Sequence, residues 1–463
     1  MAEHTERLGK EKISKLIIKL SFPCIAAYII HAIYNITDRI FIGYGVGPLG
    51  LSGVSLVFPV IMIQISICVL IEVGASALIS MKLGEKDKIN ADIVFGNACI
   101  LLLVISISCA LLAGVIVDPV LKLLSTSETA YPYAKDYLTV MLWGMPFITA
   151  GFVLTSFIRA EGNAKMTMYI FLSGSIVNII LDAVLIFPLD MGVKGAAYAT
   201  VFAQGAIAVA AFCYFKTSRS TLKLELKTMV LKRKIVTRIL ALGFAPAVTE
   251  NLMSVYAIIM NYYLMIYGGD EAVAGMGIIF TIHMFIFMFI FGTCDGIQPI
   301  IGYNHGARRF NRVKETLKTA IKLIVAFSTF SFILIQIFPE IILRAFTNDV
   351  SLIEMTSKGL RIITLSIPLA GISVIATCYF EATGKALIAT MLGISREAII
   401  FIPIIFIMAN LYGFIGVWAA VPVADIFAVL LASVLIIIEI NKLNLKQEKT
   451  PLIQEDMDIV LPY

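Results

Sequence analysis

Residues 16–43 read LIIKLSFPCIAAYIIHAIYNITDRIFIG, a run longer than the about 20 residues a helix needs to cross the hydrocarbon core of a bilayer. Near its far end an acid stands beside a base, Asp38 next to Arg39. Insertion scales put the cost of one such charge at a helix centre at about 2.5–3.5 kcal/mol. A pair kept there is either an ion pair at the membrane edge or a working group. Runs of this length recur along the chain. Of 463 residues, 59% are hydrophobic and 14% charged, against about 25% charged in soluble domains. The composition predicts an all-α polytopic membrane protein. The N-terminus, MAEHTERLGKEKISK, lacks a short apolar region followed by a small-residue cleavage site, so the first run is expected to remain as a helix.

Twelve spans are predicted, at 16–43, 52–80, 91–117, 132–158, 166–187, 195–215, 237–266, 273–301, 313–337, 354–381, 386–409 and 414–440. The seven cysteines all fall within these runs, with no CxxC pair. They read as small packing residues rather than as a disulfide framework or a metal site. The net charge of +5 matters less than its distribution. Lys216, Arg219, Lys223, Lys227, Lys232, Arg233, Lys234 and Arg238 crowd the central connection, while Lys122, Lys194 and Arg344 are the cations of the alternate loops. Basic residues favour the cytoplasmic side, so both termini are expected there, in a plasma membrane. Between two spans, the basic connection reads as a topology signal and not as a nucleic-acid patch.

Displacing the sequence against itself by 222 residues aligns Gly47 with Gly269, Gly74 with Gly296, Gly84 with Gly306, Pro146 with Pro368 and Gly162 with Gly384; at 221, Gly192 meets Gly413. Such matches mark kinks and close helix contacts. The organisation predicted is an N-lobe over 1–215, a basic linker over 216–236, a C-lobe over 237–440 and a polar tail over 441–463. Six spans per half give two like-oriented halves, with a pseudo-twofold axis along the membrane normal. That is a transporter architecture, with substrate held between the halves.

Polar residues inside the spans mark candidate sites. His31, Asn35 and Asp38 share one face of the first span, as do Asn178 and Asp182 in the fifth. From the expected helix ends, the two aspartates lie at one depth, about 7 Å below the outer edge at 1.5 Å per residue. Adjacent helical residues do not face each other, so Arg39 is expected to snorkel to the interface on its long stem. In the second half the acids fall elsewhere. Asp38 aligns with Met260, and Glu250 with Tyr28. Glu250 and Asn261 lie on the seventh span, Asp295 and Gln298 near the end of the eighth. Glu72, Glu381 and Asp425 are further carboxylates, of which the first two are open to simple pairing with a neighbouring Arg or Lys. Met284 and Met288, among Phe285, Phe287 and Phe289, are candidates for contact with flat cations, although lipid-facing or packing roles fit most of that cluster.

The segments TDRIFIGYG, RAEGNAK, NIILDAVLIFPLDMGVKGAAYAT and GIQPIIGYNHGA, in this order and spacing, resemble the multidrug and toxic compound extrusion (MATE) family over residues 10–440. The elements TEN and GIQPIIGYNHGA suggest a bacterial multidrug subgroup. The resemblance implies export of organic cations and amphipathic drugs in exchange for H⁺ or Na⁺. It implies a coupling role for Asp38, Asn178 and Asp182, matches Tyr137 and Thr200 to positions in the fourth and sixth helices, and makes Glu250 a contact in the seventh. No cofactor beyond the coupling ion, no firm metal site apart from a possible Na⁺ at Asp38, Asn178 and Asp182, no nucleic-acid partner and a monomer are expected.

Desolvation and a like-charged neighbour both favour the protonated form of a carboxyl, so Asp38 with Asp182 is the predicted coupling centre. The rival reading is a lipid-linked oligosaccharide flippase of related architecture, which would call for cavity-facing Arg or Lys to hold a pyrophosphate. An intramembrane aspartyl protease lacks its GxGD motif here, and no GxxxxGK[ST] nucleotide loop occurs.

Overall fold

The computed structural model describes residues 2–124 and 127–459, and no strand occurs among them. Ten helical runs are long and apolar enough to cross a membrane when the bent pair Tyr131–Trp143 and Met145–Ala160 counts as one. They are α1 (Ile13–Gly45), α2 (Pro48–Gly84), α3 (Lys88–Leu123), α4 (that pair, bent by 55°), α5 (Ala164–Ile186) and α6 (Gly192–Lys216). The run Arg233–Gly306 holds two helices, α7 (233–268) and α8 (270–306), which break at Gly269 with φ 64°. Next come α9 (Phe310–Ile337) and α10 (Val350–Ala382). The run Ala386–Leu445 likewise breaks at Gly413, with φ 58°, into α11 (386–412) and α12 (414–445). Twelve spans result. The last helix continues to Ile459, and residues 460–463 of the expected tail lie outside the described residues.

Most helices outrun the apolar stretches that announced them, because their polar end turns stay helical while leaving the apolar layer. Side-chain caps close several starts: Asp87 accepts from the Asn90 amide at 3.2 Å, and Asn163 from the Met166 amide at 3.3 Å. Two departures from uniform spans occur at matched places. Helix α4 turns at Gly144, ahead of Pro146, and α10 passes through a 3₁₀ turn at Thr364–Ser366, ahead of Pro368. Each proline removes an amide donor from the helical ladder and forces the break. Among the described residues, two short α-helices, Glu3–Lys10 and Pro339–Arg344, and a 3₁₀ turn at Leu226–Thr228 lie outside the spans.

The duplication is written into the backbone. Left-handed residues pair at 222 residues' separation as Gly47 with Gly269, Lys86 with Arg308 and Gly162 with Gly384, and at 221 as Gly192 with Gly413. The contact between the halves repeats the same symmetry. A Cβ at Gly84 would collide with the Tyr303 carbonyl, and one at Gly306 with the Met81 carbonyl; residue 303 is the 222-mate of residue 81. Gly302 and its mate Ser80 face each other close to the axis. Gly74 and Gly243 also carry close approaches between halves, against Ile239 and Leu70. All these contacts lie toward the end of the bundle that bears the N-terminal helix. At the opposite end, α1 and α7 expose Ile36, Ile40, Tyr44, Ile258 and Tyr262. The close approaches between the halves thus concentrate on the terminus-bearing side.

Candidate functional site

Three faces of the first half converge on α1. Tyr34, Asp38 and Ile42, spaced by four residues, form the buried face of that helix. Helix α5 presents Gly174, Ser175, Asn178 and Asp182, all buried. Helix α6 adds Thr200 and Gln204, and α4 adds Tyr137. Gly174 lets the helices approach, since a Cβ there would strike the Ile207 side chain. A small cavity remains between α1, α5 and α6, with Tyr34, Ser175, Asn178, Thr200 and Gln204 as its polar lining.

The two carboxylates lie within electrostatic reach of each other and of the Tyr34 and Tyr137 hydroxyls. Asp182 is wholly buried and Asp38 is 7% exposed. Asp38 Oδ1, both oxygens of Asp182, both polar atoms of Asn178 and Oε1 of Gln204 are buried without a hydrogen-bond partner. No ion pair involves either aspartate among the described residues. Buried polar atoms are nearly always satisfied in folded proteins. These atoms form one buried polar cluster between α1, α5 and α6.

The depth expected for the pair shifts slightly. Because α1 runs to Gly45 and α5 stops at Ile186, the aspartates stand seven and four residues from their helix ends, about 10 and 6 Å at 1.5 Å per residue. Arg39 forms no ion pair with Asp38. It is exposed and lines an open, mainly apolar hollow between α1 and α2 with Ile36, Tyr44 and Leu51. The rest of the expected polar stripe disperses. Asn35 is exposed and donates to the His31 carbonyl at 2.8 Å. His31 packs edge-on against Tyr34 and Phe152, with centroids 4.8 and 5.9 Å away.

The candidates of the second half do not join this group. Glu250 is half-buried on α7, with Glu397 as its electrostatic neighbour. Nearby, Arg396 rises from a π-helical turn at Ser395–Ile400 in α11. Its Nε bonds Asp425 at 3.1 Å, its Nη1 lies 3.4 Å from Glu397, and its guanidinium sits 5.2 Å from the centre of the Phe287 ring. Asn261 and Met284 are exposed, Met288 is half-buried and Gln298 is buried near the far end of α8. Phe289 stacks on Phe327 at 3.7 Å, a packing role.

A third charged group spans the two halves. Arg159 on α4 lies 2.8 Å from Glu72 and 3.1 Å from Asp295, which also accepts from the Tyr28 hydroxyl at 3.2 Å. Glu72 is thus a paired acid, whereas Glu381 is buried beside Asp295. The sequence reading placed Arg159 just beyond the fourth span; α4 continues to Ala160 and carries it inside. Tyr34 and Gln204 were missed as well, although each stands four residues from a chosen position, Asp38 and Thr200, and so shares its helix face.

Twelve spans in two like-oriented halves, with unpaired carboxylates buried in one of them, define a polytopic membrane transporter. The family model described as MatE matches residues 23–184 and 246–415, and the chain belongs to that family. It is 29% identical to the multidrug export protein MepA of Staphylococcus aureus (strain N315), over 92% of this chain and 94% of that protein. With the protein of the same description from Staphylococcus haemolyticus (strain JCSC1435) the identity is 28%, over 96% and 97%. Among solved structures, the MATE multidrug transporter DinF-BH, solved as a ligand complex, superposes with a TM-score of 0.86 at 35% identity, over 94% of this chain and 98% of that one. An outward-facing multidrug resistance MATE transporter of the MOP superfamily shares the fold, with a TM-score of 0.90 at 24% identity over 96% and 99%.

Proposed function

We propose that this protein exports organic cations and other amphipathic compounds in exchange for H⁺ or Na⁺, by alternating access between two lobes, residues 1–215 and 237–440, joined by the 216–236 linker. The observation that supports this reading is the buried pair Asp38 and Asp182, of which Asp38 Oδ1 and both Asp182 oxygens have no hydrogen-bond partner among the described residues. An isolated carboxylate out of water is costly, so the pair is held neutral by a proton or by a bound cation. A proton arriving from the outer side lowers the negative charge of the pair, changes the packing of α1 on α5 and releases the drug outward. The ion drives this step because the two conformations hold it with different affinity. Sodium is the second reading, favoured by the oxygens of Asp38, Asn178, Asp182 and Gln204, which suit a hard cation.

Tyr137 and Thr200 complete the coupling site, and Glu250 is a separate contact for the positive charge of a substrate. The names of the relatives, multidrug export protein and multidrug transporter, support the drug assignment. The basic connections support a cytoplasmic terminus-bearing side by the positive-inside rule; on this reading the protein sits in the plasma membrane and works as a monomer. The flippase alternative is disfavoured because the buried Arg159 and the half-buried Arg396 are both committed to carboxylates. Uptake of ethidium into inverted vesicles under separately imposed H⁺ and Na⁺ gradients tests the proposal. Accumulation driven by one of the gradients is expected; accumulation indifferent to both would sink it.

A further inference from the structure

The N-terminal helix, Glu3–Lys10, is tied at its two ends to different halves. Its first turn sits on the first half. Thr5 Oγ1 donates to the Glu161 carbonyl at 2.8 Å and lies 2.9 Å from the Thr221 hydroxyl, and the Ala2 amide donates to that same hydroxyl at 2.9 Å. Its last turn is held by the second half. The Leu8 carbonyl accepts from Asn304 Nδ2 at 2.9 Å and from Arg312 Nη2 at 3.2 Å. The Gly9 carbonyl accepts from Arg309 Nη1 at 2.6 Å, and the Glu11 carbonyl from Arg312 Nη2 at 2.7 Å. Between these ends, Leu8 is fully buried in the core that joins the halves. Gly9 lets the Arg309 guanidinium and the Tyr303 ring lie close against this turn, where a Cβ would meet them.

The chemistry of the second attachment is specific. The last carbonyls of a helix have no partner within it, and the helix end carries partial negative charge. Two guanidinium groups supplied from the far side of the interface satisfy both conditions at once. We propose that this helix is a strap that holds the terminus-bearing side shut, and that the bonds from Arg309 and Arg312 are the ones released when the halves rock apart there. The strap continues through Glu11 and Lys12 directly into α1, so it travels with the first half and leaves the arginines behind. Its seat on Glu161 and Thr221 keeps the helix presented for recapture on the return. The inference rests on the alternating-access reading of the preceding subsection.

The test is a distance measurement by double electron–electron resonance between spin labels at the exposed positions Lys88 and Asn311, one in each half, with Cys109 and Cys213 replaced by serine. The full-length protein in nanodiscs is compared with Arg309→Gln/Arg312→Gln, which cuts the strap at the second half, and with Thr5→Val, which unseats it from the first. The arginine variant is expected to raise the ratio of long to short distances about tenfold, the scale of losing charge-assisted hydrogen bonds, and Thr5→Val to raise it about threefold, the scale of losing a neutral one. An unchanged ratio in both, or a shift in the arginine variant alone, overturns the strap. A single distance in the unmodified protein across all pH and Na⁺ conditions would instead overturn the alternating-access reading itself.

Discussion

Asp38 and Asp182 lie buried within electrostatic reach of each other on α1 and α5, and among the described residues no cationic side chain forms an ion pair with either. The acids beside the two arginines within the bundle are tied to them: Glu72 and Asp295 to Arg159, Asp425 and Glu397 to Arg396. On the proposed function, this pair is the one that takes up the coupling ion. Asp182→Asn keeps the shape and removes the second acid. Ion-driven ethidium uptake in inverted vesicles is expected to fall at least about tenfold, with the amount of protein in the membrane unchanged.

The Arg159 group sits at the joint between the halves, and its charges are mostly buried. Arg159→Ala leaves Glu72 and Asp295 facing each other without compensation. A loss of about 3–5 kcal/mol is expected, read as a lower thermal midpoint in detergent. Replacing all three by neutral residues of similar size, Glu72→Gln with Arg159→Met and Asp295→Asn, is expected to recover most of that loss.

Gly84 and Gly306 are equivalent by the internal symmetry, and each faces a carbonyl across the interface. Alanine at either position overpacks the joint at a cost of about 1–3 kcal/mol. A cysteine at the buried Ser80 reports the result through its maleimide reactivity. Both Gly84→Ala and Gly306→Ala are expected to raise its labelling rate to a similar extent, and a large difference between them would contradict the symmetry.

Glu161 organises the linker from a position with no exposure. It accepts from the Tyr214 hydroxyl at 2.5 Å, the Ser220 hydroxyl at 3.1 Å and the Thr221 and Leu222 amides at 2.9 and 3.2 Å. Glu161→Ala leaves those donors unmet. Trypsin is expected to cut between Lys216 and Lys232 markedly faster in this variant, as followed by limited proteolysis of membranes.

How much of this was legible beforehand depended on the length over which each signal is written. The spans extend over tens of residues, and the duplication recurs at glycines and prolines along both halves, so each was visible from spacing alone. The left-handed backbone at Gly47 and Gly269 or at Gly162 and Gly384 sits at the aligned positions. Within the site, Asp38, Asn178 and Asp182 stood out because polar residues are rare in apolar helices, and the fold brings them together. Tyr34 and Gln204 did not stand out, since a tyrosine or a glutamine is ordinary in composition and only the approach of α6 to α1 and α5 gives them a role. Arg159 and Arg396 were obscure for a different reason. One lies at a helix end that the apolar run under-measured, and the other in a π-helical turn with no sequence signature. His31 and Asn35 show the opposite failure: they occupy the right helical phase, yet ring packing and a backbone bond draw them away from the acids.

Ion coupling through Asp38 is tested most directly by Asp38→Asn in proteoliposomes, with ethidium movement followed under an imposed H⁺ or Na⁺ gradient and, separately, as exchange without a gradient. Gradient-driven accumulation is expected to vanish while exchange of drug across the membrane persists, because the acid that carries the ion is gone and the pathway is not. Accumulation at the rate of the unmodified protein under the same gradient would contradict the assignment.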